Sequence, residues 1–227
     1  MKATAKANSN IALVKYWGKR DEKLILPQNS SISMTLDKLH TTTTVEFDGK
    51  LKKDELKIDG KKANENETTR VQNHLDLIRK TLGERTFAKI ESKNNFPKSA
   101  GLASSASGFA ALTLAATKAM NLHLDKKELS ILARQGSGSA SRSIEGGFVE
   151  WMKGSLDSGT DSYAKAIAPK EHWEELTMIV TILTEKEKKI KSREGMQKTV
   201  ENSPMYGAWL ETIDKDLDDM RHGILEK

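Results

Sequence analysis

Hydrophobic and polar positions alternate, then cycle, in blocks along this chain. Thr41–Asp48 is a β-branched run and reads as a strand, with Leu56–Asp59 as a short partner before a turn at Gly60. From Glu67 the period changes. Val71, Leu75, Ile78 and Leu82 recur at helical spacing and Gly83 stops the run. Phe87–Glu91 is a strand candidate, and Pro97 prevents easy continuation of its ladder. A helix of small and apolar residues runs to about Met120. Asp125 followed by Glu128 forms a capping box that opens another short helix, which Gly136-Ser137-Gly138-Ser139 ends. Gly147–Trp151 reads as a strand, and Leu176–Leu183 as the clearest buried one. Ser203–Ile224 reads as a helix with Met205, Trp209, Ile213, Leu217, Met220 and Ile224 on one face. That stripe needs a surface: either it folds back on the chain, or its partner lies in further sequence. Strands and helices without strict βαβ alternation make the expected class α+β.

Composition narrows the chemistry. The 227 residues carry 37 Lys+Arg against 32 Asp+Glu, a net charge of +5, and no cysteine. A disulfide framework, a zinc-thiolate site and a cysteine nucleophile are excluded. The cysteine count fits a cytoplasmic protein. No apolar run has membrane-spanning length, and the first residues lack a signal peptide's apolar core. The mild positive excess suits an anionic small molecule. No basic run with interleaved aromatics suggests nucleic acid. His40, His74, His123, His172 and His222 are too scattered for a metal site.

Four segments could carry chemistry. Pro97–Ala106 contains Gly101, Leu102, Ala103, Ser104 and Ser105 ahead of a helix. It reads either as a phosphate cradle of backbone N–H groups and hydroxyls or as a small-residue turn for close helix packing. It is not a Walker A loop, because no Gly-Lys-Ser/Thr follows. Gly136–Ser143 holds Arg142 among serines, either an anion pocket or a polar loop with a surface arginine. Asn10–Arg20 gathers Lys15, Lys19 and Arg20 beside Tyr16 and Trp17, either a cationic substrate edge or a strand with solvated ends. Lys191–Met196, on its residues alone, reads as an exposed charged turn. The acids of Asp214–Asp219 read as the solvated face of the last helix.

Taken together, the runs NIALVKYWGKRDEKLILPQNSSIS, NNFPKSAGLASSASGFAAL, GSGSASRSIEGGFVEW with GTDSYA, and SREGMQKTV occur in one order. They closely resemble the mevalonate diphosphate decarboxylases of the GHMP kinase superfamily, over nearly all of residues 7–227. The resemblance implies a GHMP-kinase fold: a ribosomal-protein-S5-domain-2-like N-terminal domain over residues 1–172, and the beginning of a ferredoxin-like C-terminal domain over 173–227. It implies use of ATP and Mg²⁺ to decarboxylate mevalonate 5-diphosphate to isopentenyl diphosphate, with no nucleic-acid or membrane partner and with a homodimer. Position by position, Lys15 matches an active-site lysine, and Tyr16 and Lys19 match contacts to the substrate diphosphate. Ser137, Ser139 and Arg142 match a substrate site in which the arginine holds the carboxylate. Ser192, Arg193 and Met196 match a second substrate segment. Ser92, Gly101, Leu102, Ala103, Ser104 and Ser105 match the ATP site, with Ser105 the contact to metal and phosphate.

Two positions depart mildly from the family pattern, Ser9 and Ser141. A larger departure is that the family's Asp-Ala-Gly-Pro-Asn-like motif, whose aspartate acts as base, does not occur in this sequence. Asp157 and Asp161 lie near a substrate-loop motif but do not replace it convincingly. The expectation is therefore a chain holding most of the family's N-terminal domain, which alone binds ligand weakly and turns over poorly or not at all. The alternatives are a relative acting on mevalonate 5-phosphate, a kinase that stops at the 3-phosphate, and a non-catalytic ligand-binding scaffold.

Overall fold

A computed structural model describes residues 1–83, 86–97, 104–181 and 192–227. Its strands are β1 (Lys2–Val14), β2 (Lys19–Asp21), β3 (Leu26–Pro27), β4 (Ser31–Phe47), β5 (Glu55–Ile58), β6 (Lys61–Lys62), β7 (Ala88–Asn94), β8 (Phe148–Trp151) and β9 (Ala164–Ala168). Its helices are α1 (Glu65–Leu82), α2 (Ser104–Ala119), α3 (Lys126–Gly136), α4 (Ser192–Asn202) and α5 (Tyr206–Glu226), with a 3₁₀ turn over Gly138–Ile144. The mixture is α+β, as the pattern predicts.

The long strand β4 organises the sheet. It pairs antiparallel with β1, from Lys2↔Glu46 to Val14↔Ile32. Its C-terminal half also pairs with β7 and its N-terminal half with β8, both antiparallel. β5 joins β7 in parallel, and β9 extends the sheet beyond β8. Alternate residues of a strand face opposite sides, so β4 serves two layers. Val45 and Phe47 enter a core with Leu75 and Ile78 of α1 and Ala110, Ala111 and Leu112 of α2. Ile32, Met34 and Leu36 enter another with Ile213, Leu217 and Ile224 of α5.

The start signals of the helices are local and operate as expected. Asp125 and Glu128 close a reciprocal capping box at α3, and Asn64 with Glu67 does the same at α1, two residues earlier than the periodic pattern suggests. Gly83 ends α1 in the left-handed region.

Two expectations are corrected and one open choice is decided. The stretch predicted as a strand over Leu176–Leu183 is irregular through Thr181, and its last two residues lie outside the described ones. Ile179 is 85% exposed, and Leu176, Met178 and Val180 are exposed too. An apolar run becomes a strand only where another edge offers it a ladder, and no described strand pairs with this one. Secondly, the final helix has its partner within this chain. α5 lies on β1, β4 and β9, and Arg221 clamps the buried Glu150 of β8 with bonds of 2.8 and 3.1 Å. Thirdly, Ser192–Asn202 is helical, with Met196 buried, where Lys191–Met196 alone suggests a charged turn. The acids from Asp214 to Asp219 are exposed as predicted.

His74 of α1 supplies the first prediction. It is 1% exposed, and burial pushes its pKa down to about 4 from 6.5. Thr113 Oγ1 donates to Phe109 O (2.7 Å) and so accepts from His74 Nε2 (2.8 Å). Nδ1 is buried without a partner among the described residues, so protonation would place a donor there that none of them accepts. The unfolded chain therefore binds this proton more readily, and stability falls as pH drops through the window from 6.5 toward 4. Unfolding by urea should show roughly 2 kcal/mol less stability near pH 5 than near pH 7 from this group. In His74→Phe that part of the pH slope should vanish.

Candidate functional site

Three pieces of chain meet at the C-terminal end of α3. The first is the 3₁₀ turn. Asn10 of β1 holds it by donating to Ser139 O (3.1 Å) and Ser143 Oγ (2.8 Å). Within that turn Arg142 is 3% exposed. Its guanidinium donates to Ser31 Oγ (2.6 Å) and Asn10 Oδ1 (3.2 Å). Both acceptors are neutral, and Nε is buried with no partner among the described residues. Burial lowers its pKa to about 10. A buried cation without a carboxylate is costly unless an anion completes it.

The second piece is the segment after β1. Tyr16 packs edge-on against Trp151, with ring centroids 4.7 Å apart. A β-carbon on Gly138 would stand 3.0 Å from Tyr16 and 2.8 Å from Trp151, so only glycine lets the turn lie against both rings. The Tyr16 hydroxyl is buried without a hydrogen-bond partner among the described residues. Burial and the charge of Glu22 push its pKa well above the usual phenol range, while Arg193 and Arg142 pull the other way. Both arginines are thus close enough for their charge to be felt at this phenol. Lys19 has its ammonium on the Glu22 carboxylate. Lys15 is exposed and lines an open groove between β1 and α5, beside Trp209 and Met220.

The third piece is α4, which brings Arg193 to the same place. Arg193 Nη2 donates to Gly136 O at 3.0 Å. Arg70 of α1 points at that carbonyl too, at 3.4 Å, with its guanidinium 4.9 Å over the Phe109 ring. Burial and the charge of Arg193 lower the Arg70 pKa to about 10. Two guanidiniums thus converge on one carbonyl at this corner, with Glu67 of α1 also in the cavity lining and its charge felt by Arg70.

From there an open cavity of about 170 Å³ extends between α1, α2 and the sheet. One wall is apolar, from Leu56, Ile58, Val71, Ile90, Phe109 and Leu112. The other carries Ser92, Asn94, Ser104, Ser105 and Arg70. Ser104 and Ser105 form the first turn of α2, where free N–H groups and the helix dipole favour an anion. Ser137 Oγ lies 3.5 Å from Ser105 Oγ, linking this cavity to the serine turn. Ser92 is bonded to Thr43 at 3.0 Å. An apolar slot ending in serines and an arginine has the donor set a nucleoside triphosphate requires.

The structure therefore brings Tyr16, Ser137, Arg142, Arg193, Ser104 and Ser105 to one region, with Ser139 partly exposed in the turn and Ser192 exposed at the start of α4. Met196 packs in the protein interior beneath them. Gly101, Leu102 and Ala103 lie outside the described residues. Asn10, Ser31 and Arg70 belong to the site and are not prominent in the sequence. Asp161 serves the loop around it: its carboxylate accepts from the amides of Ser155 (2.7 Å) and Leu156 (3.1 Å), which hold it below the usual carboxylate range. Asp157 is exposed and 3.7 Å from Arg20. Neither is placed as a base. Among the described residues no cluster of His, Cys, Asp or Glu could hold a metal by itself, and no helix is long and apolar enough to cross a membrane.

Residues 7–164 match the diphosphomevalonate decarboxylase-like N-terminal domain family. A diphosphomevalonate decarboxylase from Ganoderma lucidum is 45% identical over 89% of the chain. The solved mevalonate diphosphate decarboxylase from Staphylococcus aureus superposes with a TM-score of 0.92 at 44% identity, covering 100% of the chain. A complex described as MDDEF with MVAPP, AMPPCP and magnesium superposes at 0.89, also at 44% identity and full coverage. The chain spans 54% of the length of the fungal relative and 68% of each of the two solved chains.

Proposed function

This chain belongs to the diphosphomevalonate decarboxylase-like family, and from that premise we propose that it serves the MgATP-dependent decarboxylation of mevalonate 5-diphosphate. The products are isopentenyl diphosphate, CO₂, ADP and phosphate. The observation that carries the reading is the buried Arg142 guanidinium with neutral acceptors and an idle Nε. In this reading Arg142 takes the substrate carboxylate in a bidentate fork. Arg193, Tyr16, Lys19, Ser137, Ser139 and Ser192 hold the diphosphate end, Met196 backs them, and Lys15 stands at the active-site edge. Ser92, Ser104, Ser105 and the 101–103 backbone take the nucleotide, with Ser105 also a ligand to Mg²⁺. Residues 1–172 form the ATP- and substrate-binding domain in this scheme, and 173–227 open the next one.

The charges explain the arrangement. Bound MgATP supplies the phosphoryl group that makes the tertiary C3 hydroxyl a good leaving group. The protein must hold a diphosphate, a carboxylate and a triphosphate together against their repulsion. Arg142, Arg193 and Arg70 offset that repulsion from three directions. Holding the carboxylate in a buried, dry place also favours its loss as neutral CO₂. A homodimer and a cytoplasmic location accompany the proposal.

These 227 residues lack the family's Asp-Ala-Gly-Pro-Asn-like motif, so with mevalonate 5-diphosphate and MgATP they should bind both ligands and release little CO₂, whereas a protein that also carries that motif should release CO₂ and ADP in equal amounts. A 3-phosphorylated product without CO₂ would replace this reading with the kinase. Preference for mevalonate 5-phosphate would move the substrate. Binding of both ligands without turnover, even in a protein that carries the aspartate motif, would favour the non-catalytic scaffold.

A further inference from the structure

The segment Lys15–Gly18 lies between β1 and β2, so its backbone groups have no ladder to satisfy them. Two side chains from distant places do most of that work. Asn29 is fully buried. Its Nδ2 donates to Lys15 O (2.7 Å) and Ser30 O (2.6 Å), and its Oδ1 accepts from Trp17 N (3.2 Å). Tyr206, at the start of α5, is 8% exposed. Its Oη lies 2.9 Å from Trp17 O and 3.0 Å from Gln28 Oε1, so one hydrogen serves two acceptors. Gln28 completes the set through Gly18 O (3.1 Å) and Lys19 O (3.2 Å).

Gly18 shows how closely this latch is built. Its φ is +88°, a value that favours glycine, and a β-carbon there would stand 1.9 Å from Tyr206 Oη and 3.2 Å from Val200 of α4. The corner between α4 and α5 therefore sits directly on the segment. Arg193 stands near the other end of α4, on Gly136 O. The helix that touches Gly18 through Val200 is therefore also the one that carries Arg193.

We propose that Asn29 and Tyr206 are positioning residues for the diphosphate end of the substrate: they fix the backbone of the Lys15–Lys19 segment that presents Tyr16 and Lys19. Neither side chain touches the substrate. The claim about the ligand rests on the function proposed above. The claim about the backbone does not.

The test uses Tyr206→Phe, which keeps the ring and removes only the hydroxyl, and Asn29→Asp, which keeps an acceptor for Trp17 N and loses the donor to Lys15 O. Hydrogen exchange of the peptide covering Trp17–Lys19 should quicken by about fivefold to tenfold in each. Affinity for mevalonate 5-diphosphate, by calorimetry, should fall by a similar factor. Affinity for AMPPCP with magnesium should stay within about twofold, since no nucleotide-cavity residue moves. Wild-type exchange in Tyr206→Phe would overturn the proposal, and so would faster exchange with unchanged substrate affinity. A wild-type protein that bound no mevalonate 5-diphosphate would overturn the functional reading and the ligand half of this one. The exchange data would still decide whether the latch holds the segment.

Discussion

Arg142→Met is expected to weaken binding of mevalonate 5-diphosphate by about two orders of magnitude or more, because removing one partner of a buried charge pair costs ~2–5 kcal/mol. The size follows from where the guanidinium sits. It is buried among Ser31, Asn10 and Tyr16, with no carboxylate of the described residues bonded to it. A ligand carboxylate arriving there meets a desolvated fork, where charge-assisted bonds are strongest. The variant should still fold, since Asn10 keeps its bonds to Ser139 O and Ser143 Oγ and the 3₁₀ turn stays attached to β1. Arg142→Lys should fall between the two, because an ammonium is a point charge and cannot present two parallel N–H bonds. Calorimetric titration of the three proteins, each checked by thermal unfolding, measures this. Wild-type affinity in a folded Arg142→Met would mean that the guanidinium only braces β1 against the turn.

The parts of this molecule legible in its sequence are those governed by neighbours. The Asp125–Glu128 box lies within one turn, and Thr41–Phe47 announces a strand by β-branching alone. The helical stripe of α5 is readable too, but not the surface it covers. Ile213, Leu217 and Ile224 meet Ile32, Met34 and Phe148, which are far away in sequence. Tyr206 is the instructive miss. It lies seven residues before Ile213, in phase with the stripe, yet the neighbouring Met205 fits an apolar pattern better. In the structure Met205 is 69% exposed and Tyr206 is buried. A hydroxyl bonded to Trp17 O leaves no local trace in sequence.

The site divides the same way. Serines beside glycines, and an arginine among serines, announce anion chemistry through composition. Which cations converge depends on three helices and a strand. Arg70 sits on an amphipathic helix whose pattern gives no reason to single it out, until Gly136 O shows it facing Arg193. Asn10 and Ser31 look like ordinary strand residues and become functional only because Arg142 folds between them. The Leu176–Thr181 stretch is the reverse case: a strand-like composition without a ladder to join.

The cavity between α1, α2 and the sheet depends on a junction well away from its mouth, and the largest stability effect is expected there. Asp54 and Arg79 are 5% and 4% exposed. The Asp54 carboxylate accepts from both terminal nitrogens of Arg79, one at 3.1 Å, and from Ala88 N at 2.7 Å. Arg79 also donates to Thr86 O (2.8 Å) and Asp76 (2.8 Å), and its guanidinium lies 5.7 and 5.9 Å from the Phe47 and Phe87 rings. The pair therefore joins the approach to β5, the end of α1 and the start of β7, which carry the walls of the cavity. Asp54→Ala should cost about 3–5 kcal/mol in urea unfolding, since it strands a buried guanidinium and an amide. Asp76 can compensate only in part, because its side chain is 58% exposed and its charge is shared with solvent. Removing both charges should be milder than the sum of the single changes, because Asp54→Leu with Arg79→Leu leaves no orphaned ion. A loss below about 1 kcal/mol in Asp54→Ala would place this pair among ordinary surface ion pairs. The cavity walls would then owe their alignment to the apolar contacts of Leu56, Ile78 and Ile90 alone.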